Sequence, residues 1–116
     1  MNAQQLINRN KKFAVECVQL AEKLPDTKLG NHIRGQLIRC STSVAANYRA
    51  TRLAQSKAAF IAKLSIVIEE ADESEFWIDL AMEFKLFNSE LALPLMKEAR
   101  ELTSIYIATR NSMRGK

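Results

Sequence analysis

The sequence predicts an all-α fold, an antiparallel up-down-up-down four-helix bundle, and three observations carry that expectation. Only three Gly and two Pro punctuate 116 residues, too few for the turns a sheet needs. Apolar residues, 47% of the chain, recur every three or four positions in four long stretches. The stretches are separated by short runs containing Pro25–Asp26–Thr27, Gln55–Ser56 and Asn88–Ser89. A chain of this length makes one domain, residues 1–116, with room for a real core.

The first helix is expected from about Gln4 to Leu24, with Leu6, Phe13, Cys17, Leu20 and Leu24 near a heptad seam. Pro25 ends it, and Asp26 or Thr27 caps the next. The second helix, about Lys28 to Ala54, is the distinctive one. Leu29, Ile33, Leu37, Cys40, Val44 and Tyr48 fall within roughly a third of the helical circle. Lys28, Arg34, Arg39, Arg49 and Arg52 occupy a separate arc of about 140°. Arg34 and Arg52 lie furthest from the apolar arc, so these two are expected to be free for a ligand. Asn47 sits at the edge of the apolar arc, where its amide needs a backbone or facing side-chain partner. Gly30, near the same arc, allows a close helix approach.

Ser56 caps a third helix, about Lys57 to Phe87, whose core seam is Phe60, Leu64, Val67, Ala71, Ser74, Ile78 and Ala81. Beside it runs a second seam of Ile66, Glu70, Glu73, Trp77, Leu80 and Phe84. Carboxylates among apolar residues need cationic partners, and Arg39, Arg49 and Lys63 are the candidates. Phe76 and Phe87 are expected on the outer face among Glu69, Asp72 and Glu83. An exposed aromatic pair there calls for a crossing helix or, in preference, a neighbouring subunit. The fourth helix begins at Ser89 with proline in its first turns, or restarts at Pro94. Leu95, Ala99, Leu102, Ile105 and Thr109 continue its core stripe, and the basic tail from Arg110 to Lys116 is expected to fray.

Charge narrows the function. The net charge is +4, but residues 25–54 hold five Lys/Arg against one acid, whereas residues 55–88 hold three against seven. The second helix is therefore a cation rail and the third an acid rail, which suits either mutual pairing or an anion-binding face. A rail of arginines can track nucleic-acid phosphates, with Arg9, Lys11, Lys12 and the C-terminal tail extending it. Enzymatic readings lack parts. His32 is the single histidine, so a di-metal bundle site cannot be assembled. The HEPN-type ribonuclease pattern needs an Arg four to six residues before its His, where this chain has Asp26, Thr27 and Lys28. No phosphate loop, zinc spacing or nucleophile elbow is present, and no cofactor or metal is expected. Cys17 and Cys40 lie on apolar faces and fit buried thiols in a cytoplasmic protein. No charge-free run is long enough to predict a membrane span.

The run Thr42, Ser43, Val44, Ala46, Asn47, Tyr48 and Arg49 resembles the signature of the bacterial four-helix bundle proteins, also called 23S rRNA intervening-sequence proteins. Ser56, Lys57, Phe60, Ile61, Lys63 and Leu64, then Glu70, Ala71, Glu73 and Trp77, match its continuation. The likeness covers roughly residues 10–110 and extends distantly to the accessory protein of diversity-generating retroelements. It implies a four-helix bundle whose relatives form homopentamers, some encoded within ribosomal RNA genes. Ala50 departs from a glutamate common in the family, so whatever that carboxylate does is missing here. The leading expectation is a non-enzymatic, oligomeric RNA-binding bundle. The alternative is a protein–protein scaffold whose arginines are taken up by acids of the third helix, and a nuclease comes third.

Overall fold

The structure, a computed structural model, describes residues 1–115. Four helices form: α1 (Ala3–Ala21), α2 (Lys28–Ala50), α3 (Lys57–Glu83) and α4 (Ser89–Arg114). A single 3₁₀ turn, Thr51–Leu53, follows α2. Each helix packs on its sequence neighbour, and α4 returns against α1 to close the ring, giving a four-helix bundle 47 Å long and 22 by 20 Å across.

Side chains fix the helix starts. Asn2 and Gln5 form a reciprocal capping box on α1, Thr27 accepts from the Gly30 amide, and Ser56 accepts from the Ala59 amide. Asn88 caps α4, which begins at Ser89, the first of the two expected starts, and carries Pro94 within it. The core is one cluster in which Phe13, Ile33, Leu37, Leu64, Ile78 and Leu102 are fully buried. The α1 seam, the apolar arc of α2 and the α3 seam from Leu64 to Ala81 all face it, with Phe60 partly buried at the edge.

Besides the second helix, which ends at Ala50 in the 3₁₀ turn rather than running to Ala54, three boundaries differ from expectation. The α1 helix stops at Ala21, although Leu24 still reaches the core. The tail is helical to Arg114 rather than frayed from Arg110, and Lys116 lies outside the described residues. The third difference moves Phe87. Lys85 adopts φ 58°, Leu86 donates to the Ala81 carbonyl at 2.8 Å, and Lys85 donates to Met82 at 2.9 Å. This paired bonding around a left-handed residue ends the helix and reverses the chain. Phe87 therefore sits past the end of α3, swung inward and only 8% exposed, not on the outer face. Phe76 does stay outside, at 52% exposed.

Gly30 is needed for the turn more than for helix approach. A Cβ there would sit 2.1 Å from the Pro25 carbonyl oxygen, a backbone atom of the α1–α2 connection. Gly35 has nothing within 4 Å. Gly30→Ala is thus expected to cost at least about 1 kcal/mol through overpacking, whereas Gly35→Ala gains roughly 0.5–1 kcal/mol of helix propensity. Urea denaturation of the two variants checks the opposite signs.

Candidate nucleic-acid interface

The sequence-expected cation rail on α2 divides into two classes once side chains are placed. Arg34 folds back to donate to the carbonyls of Leu24 and, at 3.4 Å, Pro25, and to Asn31 Oδ1. These carbonyls lie just past α1, so the guanidinium ties off the α1–α2 turn. The expectation that Arg34 stands free for a ligand is corrected, because its angle on the helix points it at that turn. Arg39 reaches the other way, to Glu70 Oε2 at 3.1 Å and to Glu73 Oε2. The Glu70 side chain is only 18% exposed, so this cation answers the desolvated carboxylates of the second α3 seam. Trp77 Nε1 donates to the same Glu73 oxygen at 2.9 Å, and the Trp77 ring meets His32 edge-on at 5.4 Å. Asn47 donates to the carbonyl and hydroxyl of Ser43 within its own helix.

Lys28, Arg49 and Arg52 are exposed and, among the described residues, have no ion-pair partner. Lys28 stands at the opposite end of α2 from the other two. Arg49 and Arg52 belong to a larger group that the bundle assembles from all four helices. Three segments contain no acid at all: residues 1–15, 40–68 and 102–115. They carry Arg9, Lys11 and Lys12; Arg49, Arg52, Lys57 and Lys63; and Arg110 and Arg114. All 13 acidic residues lie elsewhere in the chain.

The up-down topology brings those segments to one end. Tyr106 on α4 donates to Asn10 on α1 and lies 5.6 Å, ring to ring, from Tyr48 on α2. Arg110 bonds Ser65 of α3 at 3.3 Å, and Lys11 and Arg49 line one groove between α1 and α2. One end of the bundle is therefore a basic pole and the other carries the acids. Of the pole's cations only Arg9 is ion-paired among the described residues, to Glu98 at 2.6 Å and Glu101 at 2.8 Å. The Glu98 hydrogen bond raises the Arg9 pKa further above its ordinary value. Arg9 thereby fastens α1 to α4 at the inner border of the pole.

An end-cap of cations whose ion-paired acids, among the described residues, are only the two that hold Arg9 at its border can hold several phosphates at once, with affinity governed by counterion release. The alternation of acid-free segments was readable in the sequence, but only folding the helices up and down brings Lys57, Lys63 and Arg110 to the same end of the bundle as Arg49. Other chemistry finds little support. Among the described residues no three His, Cys, Asp or Glu side chains cluster to hold a metal ion. Burial raises the Cys17 thiol pKa and pushes Cys40 up to about 11, so neither is a ready thiolate. No helix among the described residues is long and apolar enough to cross a membrane.

Comparison with known proteins agrees with this architecture. Residues 3–108 match the family described as 23S rRNA-intervening sequence protein. A crystal structure from Bacteroides thetaiotaomicron, described as a protein with unknown function from the S23 ribosomal protein family, is 30% identical with a TM-score of 0.84. The match covers 90% of this chain and 97% of that one. No curated protein shows significant similarity.

Proposed function

The chain belongs to the 23S rRNA-intervening sequence protein family, and from that premise we propose that it is a non-enzymatic, cytoplasmic homo-oligomer that binds RNA through the basic pole. The observation that carries the reading is the segregation of charge. Arg9, Lys11, Lys12, Arg49, Arg52, Lys57, Lys63, Arg110 and Arg114 gather at one end with no acid in the segments that supply them. Phosphate is the ligand such a surface suits, and ribosomal RNA is the class that the family's description points to. Tyr48 and Tyr106 are buried and Phe60 is partly buried against the core, so no fully exposed aromatic ring stands among these cations to stack on bases. Recognition therefore rests on backbone charge and shape rather than on sequence. Assembly, with a pentamer as the family resemblance implies, would multiply the poles and raise avidity.

The scaffold alternative draws on Arg39, which the acids of α3 do engage. It leaves Arg52, Lys57 and Lys63 of the pole without a role.

The test is a titration of structured RNA at 50 and 200 mM salt. With about four phosphates neutralised, affinity falls about 100-fold between the two. Absence of binding at the lower salt overturns the RNA reading.

A further inference from the structure

The outer face of α3 and the groove between α1 and α2 are two surfaces without a partner inside the bundle. Phe76 projects from α3 with half its surface exposed. Around it on the same helix stand Glu69, Asp72, Asp79 and Glu83, all exposed and, among the described residues, outside any ion pair. From Leu64 to Phe84 the helix carries no lysine or arginine. An aromatic ring framed by acids one and two turns away on either side is thus offered to solvent.

The groove has the opposite character. Its volume is about 440 Å³, and its lining includes Ala14, Ala45, Ala46 and Val15. The alanines are what make it a depression, because small side chains on two adjacent helices leave room that larger ones would fill. Val15 is 47% exposed on its wall, and the cations Lys11 and Arg49 line it. Neither cation is ion-paired among the described residues.

We propose that Phe76 of one copy of this chain seats in the α1–α2 groove of the next, with Asp72 and its acidic neighbours facing Lys11 and Arg49. Shape and charge agree on this occupant: the knob is aromatic and acid-framed, and the pocket is apolar and flanked by cations. A second copy is the occupant because both halves are on this chain. The two surfaces lie on different sides of the bundle, so the contact is heterologous, and each copy uses its knob on one neighbour and its groove on another. The inference rests on the homo-oligomeric reading above and supplies the contact that builds it.

Two variants at exposed positions test it. Phe76→Ser removes the knob and leaves the groove; Val15→Glu places an acid in the groove and leaves the knob. Light scattering with circular dichroism is expected to show an assembled wild type and each variant as a folded 13.1 kDa monomer. Mixed one to one, the two variants are expected to give a dimer of twice that mass, since one intact knob meets one intact groove. A mixture that remains monomeric overturns the contact, as does either variant staying assembled alone. A monomeric wild type overturns the oligomeric reading along with it. RNA titration of Phe76→Ser, which does not change the charge, reports separately on the basic pole. Salt-dependent binding retained there keeps the RNA reading standing whichever way the assembly result falls.

Discussion

Replacing Arg52 and Lys57 together by glutamate is expected to weaken RNA binding by at least about 100-fold at moderate salt. Four units of charge change at the pole, and two counterion-releasing contacts are lost and replaced by repulsion. The slope of log affinity against log salt should flatten by about two. Both side chains are exposed without ion-pair partners among the described residues, so the melting temperature should stay close to that of the wild type. Arg34→Ala should do the reverse. Removing its guanidinium leaves the Leu24 carbonyl without its donor, while the Pro25 carbonyl still accepts from the Thr27 amide, at a cost of about 1–2 kcal/mol. RNA affinity at a temperature where the variant is folded should not change. Fluorescence anisotropy of labelled RNA and thermal melting on the same samples separate the two residues. Equal losses of binding from Arg34→Ala and the double variant would remove the distinction between a turn-closing arginine and a ligand-binding one.

That distinction marks the limit of what the sequence could say. Angular position on a helix identified which cations stand away from the core, and for Arg52 that was enough, whereas Arg49, a candidate partner for Glu70 and Glu73, stands outside any ion pair among the described residues. Arg34 occupies almost the same angle as Arg52, yet it lies one helix turn and a half from the start of α2, beside the Leu24 carbonyl of the turn that follows α1. Whether such a carbonyl is within reach depends on how two helices meet, which periodicity does not encode. The same reasoning explains Phe87. Its apolar neighbours continued the helical pattern, but Lys85 takes a left-handed conformation that nothing in its side chain announces. By contrast, Glu70 and Glu73 were legible as desolvated acids needing a cation because they share a seam with Ile66, Trp77 and Leu80. Arg39 was one of three candidates for them and is the one that reaches. The basic pole was half legible. The tail and Arg9–Lys12 read from the sequence as extensions of a rail, but a rail runs along one helix, and the observed group is a cap across four.

Asn10 escaped notice in the sequence, and it supports the second large effect. It is 0% exposed, its side-chain carbonyl accepts from the Tyr106 hydroxyl, and its Nδ2 has no partner. Burial raises the Tyr106 pKa, so the phenol remains a donor at ordinary pH. Tyr106→Phe keeps the ring in the core but strips the last hydrogen bond from a fully buried amide. The expected cost is about 1–3 kcal/mol, the desolvation of a polar group with nothing in exchange. Asn10→Leu alone inverts the defect, burying an unpaired phenol against an apolar side chain of similar shape. The double variant Asn10→Leu with Tyr106→Phe removes both partners at once and should be near the wild type or more stable, because no unsatisfied polar atom is left behind. Chemical denaturation of the four proteins closes the cycle. Additive losses in the double variant would mean that the two groups do not act as a pair. A coupling that restores stability would identify the Asn10–Tyr106 bond as a register device. It would align α1 and α4 directly beneath the cations of the pole, at a seam otherwise fastened by Arg9 with Glu98 and Glu101.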